Sequence, residues 1–382
     1  MALLVSCWAS PSAAQWPWKD LEPGAHPVGY RVVRQYDRSR TFGGVAADRL
    51  IELRIWYPAA PSSGATPMTY AAYRDVDPAD GPTGAFTDTM RLRTERDIKL
   101  AGMRFARDSV EPPAKLLASR TGAVRNAPAR PGPFPAIVYA PGRNDSSDDN
   151  VVLFEYLASH GYVVGAIASQ GLNTVTVGQG AGTVEAGVRD LEFALAYLLG
   201  TPEVDGARVG AAGFSFGGTW ALLLAMRNAR VRGVVALDPS FTFPRGDGVI
   251  RASPSFDSTR FTTPLLVAAQ RGDEWSSLAI DALRSAPRFT LRVAGMSHSD
   301  FCSYGIAYRN VLGAAARDPI IRHKVAGYIG VATYVREFLD AFVKGDSAQA
   351  MAVRSKPRWR GVGSDDVEFT FRLGAPQVPM FY

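Results

Sequence analysis

The sequence is poor in cysteine and histidine, the residues that form disulfides and many metal sites. It contains two cysteines, Cys7 and Cys302, and four histidines among 382 residues. A framework of several disulfides is therefore excluded, and removal of Cys7 with an N-terminal signal would leave no intramolecular disulfide. The histidines and Cys302 show no metal-ligand spacing, so no metal site is expected. Cys302 is interpreted as a small buried hydrophobe rather than as a nucleophile.

Long apolar runs and long basic runs are also missing from the sequence. No apolar segment is long enough to span a bilayer as a helix, and no internal repeat indicates a solenoid. The formal net charge is +6, but the basic residues are scattered among acids, which argues against a nucleic-acid partner. With 47% hydrophobic and 20% charged residues, the chain has the composition of a globular protein with a large core.

The first residues have the features of an export signal. Residues 2–9 form a short apolar region, and small residues up to Ala14 fit a cleavage site. The sequence Leu-Val-Ser-Cys that ends at Cys7 also matches a bacterial lipoprotein box. We therefore predict a signal peptide over residues 1–14 and export to the periplasm or the medium, with a lipid anchor at Cys7 as an alternative.

The N-terminal third is predicted to contain an arm, two antiparallel strands and an insertion. Residues 15–27 are rich in aromatic residues and proline and are expected to lie on the surface. Residues 30–36 and 49–57 alternate polar and apolar side chains, which is typical of antiparallel strands. Residues 60–132 have mixed character and are predicted to form an irregular or helical insertion that could cover a site.

From residue 134 onward the pattern becomes regular. Short apolar strands alternate with helical segments, which indicates a mostly parallel sheet with helices on both faces. The predicted strands of this part are 136–140, 162–168, 209–213, 231–237, 264–269 and 289–294. We predict a single α/β domain over residues 15–382, with its catalytic core at residues 134–345.

A serine stands at the apex of a predicted strand–turn–helix. The segment Gly213-Phe-Ser-Phe-Gly217 has the pattern G-x-S-x-G, and an apolar helical pattern follows it. Gly213 and Gly217 are needed because bulkier residues in so sharp a turn would collide with the strand and the helix. A serine in this setting is the nucleophile of an α/β-hydrolase elbow. The sequence therefore predicts Ser215 as a nucleophile.

The elbow serine needs a base and an acid, which follow it in the order serine, acid, histidine. His298 follows the last predicted strand and is therefore predicted to be the base, whereas His323 lies in a basic run and is expected to be exposed. Two aspartates compete for the role of the acid. Asp238 ends the strand after the elbow helix, and Asp273 follows the next strand. Either loop could reach the imidazole of His298, so the spacing leaves both candidates open.

An oxyanion hole needs two backbone N–H groups that point at the developing charge. Phe216, directly after the nucleophile, is predicted to supply one of them. The turn after the strand 136–140 is predicted to supply the other through Arg143. The substrate pocket is expected to use the insertion and three loop aromatics, for which core packing is the alternative: Phe241, Phe243 and Trp275.

Five segments between about residues 30 and 345 carry a family resemblance. They are Arg54-Ile-Trp-Tyr-Pro58, Leu157-Ala-Ser-His-Gly-Tyr-Val-Val164, Gly213-Phe-Ser-Phe-Gly-Gly218, Ala236-Leu-Asp238 and His298-Ser-Asp-Phe301. In these segments the chain resembles the plasma-type platelet-activating-factor acetylhydrolases and the dienelactone-hydrolase-like bacterial esterases near them, which belong to the α/β-hydrolase superfamily. The resemblance implies Asp238 as the acid and Phe216 and Arg143 as oxyanion donors. Phe214 departs from that family, which usually has a histidine before the nucleophile.

These observations predict a serine carboxylic-ester hydrolase that acts through an acyl-enzyme on small or lipid-like esters, without a cofactor. The alternatives are a polyester- or lactone-hydrolysing esterase, a serine peptidase of the same fold, and a catalytically silent binding protein. The sequence shows no large recognition domain, which argues against a peptidase. Serine, acid and histidine are all present in the required order, which argues against a silent protein. The sequence gives no indication of the oligomeric state.

Overall fold

A mixed sheet of ten strands runs through the described part of the chain. The computed structural model describes residues 16–42, 47–62, 64–75, 92–93, 95–96, 112–178, 180–272 and 274–375. The predicted signal peptide, much of the predicted insertion and Asp273 lie outside these residues. The strands are β1 (Val28–Phe42), β2 (Ala47–Pro58), β3 (Ala123–Arg125), β4 (Phe134–Ala140), β5 (Val163–Ile167), β6 (Val204–Phe214), β7 (Val231–Leu237), β8 (Leu265–Gln270), β9 (Arg288–Val293) and β10 (Val367–Arg372).

The strand order explains why one end of the sheet can carry a site. The order is β10-β9-β8-β7-β6-β4-β5-β2-β1-β3. Strands β4 to β9 pair in parallel, whereas β1 with β2, β2 with β5, and β9 with β10 pair antiparallel. The prediction of a mostly parallel sheet with antiparallel N-terminal strands is confirmed. Because parallel strands end at one edge, the loops after β4, β6, β7 and β9 meet there.

Helices cover both faces of this sheet. They are α1 (Pro112–Ala118), α2 (Val151–Ser159), α3 (Ala181–Leu199), α4 (Phe216–Arg227), α5 (Pro244–Arg251), α6 (Leu278–Ala282), α7 (Tyr304–Arg309), α8 (Pro319–Leu339) and α9 (Ser347–Ala352). Short 3₁₀ turns lie at Tyr70–Tyr73, Ser240–Thr242, His298–Phe301, Gly313–Arg317 and Ser364–Asp366, and a π-helical turn lies at Asp340–Lys344.

The central strands bury side chains on both sides, which is why they have nearly continuous apolar sequences. In β4, Ile137 and Tyr139 join the core beneath α2 and α8, whereas Val138 and Ala140 join the core beneath α3 and α4. Successive side chains of a strand point to opposite faces, so each residue of β4 belongs to one of two cores. This double packing holds the strand ends that carry the site.

Three features of the fold differ from what the sequence suggested. The arm at residues 15–27 does not simply lie on the surface, because Trp18 and Leu21 are buried at 1% exposure. The sheet extends beyond residue 345, since β10 adds an antiparallel edge strand to β9. His323 is half-buried rather than exposed, and its Nε2 lies 2.8 Å from the carbonyl oxygen of Ala294.

A buried carboxyl group explains why the arm docks. Glu155 of α2 is fully buried and accepts hydrogen bonds from the Trp18 indole (2.6 Å), the Tyr73 hydroxyl (2.5 Å) and the Gly122 amide (2.6 Å). Burial raises the pKa of Glu155 from 4.5 to about 7, and the three hydrogen bonds counteract only part of that rise. Glu155 therefore connects three segments to α2. They are the arm at Trp18, the start of the insertion at Tyr73, and Gly122, which directly precedes β3.

The raised pKa of Glu155 predicts a pH-dependent stability. Its pKa is higher in the folded chain than in the unfolded chain, so its contribution to stability is fully present below about pH 4.5 and is lost as the pH rises to about 7. Glu155→Gln removes this titration. Between about pH 5 and pH 7, we expect the free energy of unfolding of wild type to fall relative to that of Glu155→Gln. The fall should be at most about 1.4 kcal/mol per pH unit.

Urea unfolding at several pH values measures this difference. Glu22→Gln is the matched control, because it removes the same charge at an exposed position within the arm and should leave the wild-type profile unchanged. Parallel profiles for wild type and Glu155→Gln would contradict the prediction.

Candidate active site

The elbow holds Ser215 in a backbone conformation that few side chains adopt. Its φ is 53° and its ψ is −118°, which lies outside the regions that L-residues favour. Three hydrogen bonds hold this conformation. The Ser215 amide donates to Leu237 O (2.9 Å), and the Ser215 carbonyl accepts from the amides of Gly218 (3.2 Å) and Ser240 (2.9 Å). The strain at the serine is thus balanced by bonds to β7 and to the turn after it.

Two glycines allow the strand and the helix to approach each other at this point. A Cβ on Gly213 would lie 2.2 Å from Gly217 O, and a Cβ on Gly217 would lie 2.1 Å from Ala140 O. Both distances are far below van der Waals contact with backbone atoms that cannot move away. The G-x-S-x-G pattern therefore has the steric reason that the sequence suggested. The second contact also brings the start of α4 against the end of β4.

Ser215, His298 and Asp238 form a hydrogen-bonded chain. His298 Nε2 lies 2.9 Å from Ser215 Oγ, and His298 Nδ1 lies 2.6 Å from Asp238 Oδ2. The imidazole is 42% exposed, whereas the Asp238 side chain is 1% exposed. A base that can reach both a serine hydroxyl and solvent, with a buried carboxylate behind it, has the arrangement that activates a nucleophile.

Asp238 is held as firmly as Ser215. It has a positive φ of 38°, and its amide donates to Ala268 O at 2.6 Å. Its second carboxylate oxygen, Oδ1, accepts a hydrogen bond from the backbone N–H of Gln270 at 2.9 Å. A buried carboxylate needs such donors, and here they fix the direction in which Oδ2 faces His298. The other candidate acid, Asp273, lies outside the described residues.

The segment that carries His298 is fixed from two sides. It forms a 3₁₀ turn whose capping residue, Ser297, donates from its amide and its hydroxyl to Asp300 Oδ2, both at 2.7 Å. Lys324 of α8 makes an ion pair with the same carboxylate at 2.8 Å. From the other side, the Asn150 amide group donates to Phe301 O at 3.2 Å. The imidazole thus sits on a short, tightly bonded turn.

The aromatic candidates have different positions. Phe243 is half-buried and its ring centroid lies 5.9 Å from that of His298, edge to face. Phe214, which precedes the nucleophile, lies 4.7 Å from the same imidazole. Phe241 is fully buried and belongs to the core. Trp275 stacks beneath the Arg292 guanidinium, with its ring centroid 4.5 Å from Cζ. Of these four aromatic residues, the half-buried Phe243 offers accessible apolar surface beside the histidine, whereas Phe214 is itself buried.

The two predicted oxyanion donors lie on adjacent segments. Phe216 is the first residue of α4, where the amides of the first turn have no acceptor within the helix and the helix dipole favours negative charge. Arg143 lies in the turn after β4, three residues beyond Ala140, whose carbonyl contacts Gly217. The N-terminal end of α4 therefore packs against the segment that carries Arg143.

The residue after Arg143 fixes the shape of this turn. Asn144 has a φ of 65°, and its backbone N–H donates to Ser169 Oγ at 3.0 Å. Its side-chain oxygen accepts from the Val177 amide at 2.7 Å and lies 3.4 Å from a guanidinium nitrogen of Arg93. Four non-glycine residues of the described chain have a positive φ, and three of them are Asn144, Ser215 and Asp238.

The insertion contributes two arginines to this region. Arg93 is buried at 7% exposure and donates to Ser169 O at 2.6 Å and to Val175 O. Arg96 donates to Asn144 O at 3.0 Å and forms an ion pair with Asp145 at 3.3 Å. Burial raises the pKa of Asp145, and the nearby Arg96 and His298 lower it in part. The insertion thus contacts the predicted oxyanion turn directly.

Several supporting residues were not predicted from the sequence. Gln270, Asn144, Ser169 and Arg93 act through backbone groups or through contacts between distant segments, which no local pattern reveals. One signal was available: Asn144 ends a Pro-Gly-Arg-Asn turn, and asparagine tolerates a positive φ better than most residues.

Two further properties concern the described residues only. No three side chains of histidine, cysteine, aspartate or glutamate come together there as a metal site. In the same residues, every helix is too short or too polar to cross a membrane.

Comparison with known proteins agrees with this fold. Residues 126–276 match the model of the Dienelactone hydrolase family, a range that includes Ser215 and Asp238. Solved structures match widely, in 783 chains. One is described as the ferulic acid esterase from Streptomyces cinnamoneus, with a TM-score of 0.59 and 22% identity over 85% of this chain and 93% of that one. No curated protein sequence matches significantly.

At 22% identity the likeness to the ferulic acid esterase concerns the fold, and the family match concerns the segment from the turn before β4 to the loop after β8. Together they confirm the resemblance to dienelactone-hydrolase-like esterases. The chain has the α/β-hydrolase fold, and its residues 126–276 match the dienelactone hydrolase family model.

Proposed function

We propose that the chain is a serine carboxylic-ester hydrolase that acts through an acyl-enzyme on Ser215. The family match supports a hydrolase of the esterase type. The observation that carries the finer proposal is the continuous hydrogen-bonded chain from Ser215 Oγ through His298 to the buried Asp238. The proposed reaction uses these three side chains and two backbone amides, and no cofactor takes part in it.

In the proposed acylation, Ser215 Oγ attacks the ester carbonyl while His298 Nε2 takes its proton. Asp238 accepts from Nδ1–H, which keeps the imidazole in the tautomer that has a basic Nε2 and stabilises the imidazolium that forms. The carbonyl oxygen gains negative charge, which the amides of Phe216 and Arg143 would stabilise by hydrogen bonds. His298 then protonates the leaving alcohol as the carbon–oxygen ester bond breaks.

In the proposed deacylation, a water molecule takes the place of the alcohol. His298 removes a proton from this water, which attacks the acyl carbonyl, and the same two amides stabilise the second tetrahedral intermediate. The imidazolium returns its proton to Ser215 Oγ as the acid leaves. The partial exposure of His298 supports this step because water must reach Nε2.

The proposed substrates are small or lipid-like esters. Phe243 places partly exposed apolar surface beside His298, which suits an acyl or alcohol group with aliphatic or aromatic character. Rates for p-nitrophenyl esters of increasing chain length test this choice: a maximum at short or medium acyl chains is expected, whereas activity on peptides alone would contradict it.

Export is proposed as well. The apolar residues 2–9 and the small residues up to Ala14 support a signal peptide. Expression of the full chain followed by N-terminal sequencing of the exported protein should find Gln15 as the first residue, or a lipid-modified Cys7. A cytosolic protein with an intact N-terminus would contradict export.

One prediction concerns the nucleophile. Ser215→Ala should lower kcat for a short-chain p-nitrophenyl ester by roughly six orders of magnitude, because the acyl acceptor is lost. A fluorophosphonate should label wild type and not this variant. Ser355→Ala is the control, because it removes a hydroxyl from an exposed position and should leave both readings unchanged. An unlabelled and inactive wild type would refute the esterase proposal.

Another prediction concerns the acid. Asp238→Asn should lower kcat by about four orders of magnitude, because the amide would stabilise the wrong imidazole tautomer. Asp273→Asn is the matched variant and should retain activity close to wild type. Steady-state kinetics of both variants make the comparison. If Asp273→Asn loses activity and Asp238→Asn keeps it, the assignment of the acid is wrong.

A further prediction concerns the contact between the insertion and the turn after β4, which carries Arg143. Arg93→Met removes the guanidinium bonds to Ser169 and Asn144. We expect kcat to fall at least tenfold with KM little changed, because a displaced oxyanion donor weakens binding of the transition state more than binding of the ester. Leu92→Ala, at a neighbouring exposed position, should behave as wild type. An unchanged kcat in Arg93→Met would show that the turn keeps its shape without Arg93.

A further inference from the structure

A polar cavity lies on the outer part of the sheet. It has a volume of about 150 Å³, roughly ten times the ~15 Å³ that holds one water molecule. Its floor is the paired strands β9 and β10, where Arg288, Thr290 and Arg292 stand opposite Arg372, Thr370 and Glu368. Opposite residues of a strand pair share a face, so these six side chains point into the cavity together.

The cavity wall contains a buried cation without an ionic partner. Arg288 is 8% exposed, and one of its terminal nitrogens donates to the carbonyl oxygens of Ile280 (3.2 Å) and Asp281 (3.4 Å). Its Nε has no hydrogen-bond partner, and no described carboxylate lies within ion-pair distance of its guanidinium group. A buried charge in this state is costly unless something neutralises it.

The two other arginines differ from Arg288 in this respect. Arg292 makes an ion pair with Glu368 at 3.0 Å, and Arg372 makes one with Asp281 at 2.5 Å. Glu368 and Asp281 are about half exposed, at 48% and 42%. The carboxylates therefore stand at the rim of the cavity, and neither of them forms an ion pair with the deeper Arg288.

We propose that this cavity binds a small oxyanion, a phosphate or a carboxylate, with Arg288 as its charged anchor. A guanidinium group offers N–H donors in a planar fork that matches the oxygens of both groups. The hydroxyls of Thr290 and Thr370, from adjacent strands, add neutral donors to the same space. Arg292 is held over Trp275 and closes one side. The proposal does not depend on the chemistry at Ser215.

Calorimetric titration of the full-length protein tests this site. Sodium phosphate and sodium acetate are titrated separately, with chloride holding the ionic strength constant. Saturable binding of at least one anion is expected, with a dissociation constant of about 1 mM or lower. Binding of either anion identifies which oxyanion the site prefers. If neither binds in a saturable way, the proposal is overturned.

Variants show whether binding occurs at this cavity. Arg288→Met should weaken binding at least tenfold, because one charge-assisted hydrogen bond is lost. Thr290→Val, which keeps the side-chain shape, should weaken it by a smaller factor and serves if Arg288→Met does not fold. Arg260→Met removes a charge at an exposed position and should bind as wild type does. Equal weakening by Arg260→Met, or unchanged binding in both cavity variants, would overturn the proposal.

Ester hydrolysis provides an independent check on folding. Arg288→Met should keep the wild-type ester rate, because none of the proposed catalytic residues lines the cavity. Loss of anion binding with an intact ester rate supports the site. Intact anion binding in Ser215→Ala would show that the anion site does not depend on the proposed nucleophile.

Discussion

The structure depends on a close approach of backbones between the elbow and the end of β4. Gly213 and Gly217 leave no room for a Cβ, and Gly217 lies directly against Ala140 O. This contact sets the N-terminal end of α4 beside the turn that carries Arg143, and three hydrogen bonds hold Ser215 at its positive φ between them. The close approach thus brings together the nucleophile and the two segments proposed to bind the oxyanion.

The surrounding sheet stabilises the strained backbone of this region. Positive φ angles at Ser215, Asp238 and Asn144 are concentrated at the ends of neighbouring strands, and each of these residues is held by backbone hydrogen bonds or by a side chain from another segment. Strained residues persist only where the structure around them is over-determined. Here the double packing of the central strands supplies that rigidity, and Arg93 of the insertion adds a contact from outside the sheet.

The fold and two residues of the candidate site could be predicted because they leave local patterns. The elbow glycines mark Ser215, and the chain order after it points to His298. The acid could not be chosen by spacing, since the loops after β7 and β8 end at the same edge of the sheet. Trp18 and β10 were missed for a related reason. Trp18 is buried where its indole donates a hydrogen bond to Glu155, a residue 137 positions away. β10 is a strand because it pairs with β9, from which an irregular segment and several helices separate it in the sequence.

Capture of the acyl-enzyme tests the central claim most directly. Wild-type protein is mixed with a p-nitrophenyl ester, quenched in acid within the first turnover, and analysed by intact mass and peptide mapping. We predict one added acyl group per chain, located on the peptide that contains Ser215, together with a stoichiometric burst of p-nitrophenol. Turnover without an acyl adduct, or an adduct on any other residue, would contradict the proposal that Ser215 is the nucleophile.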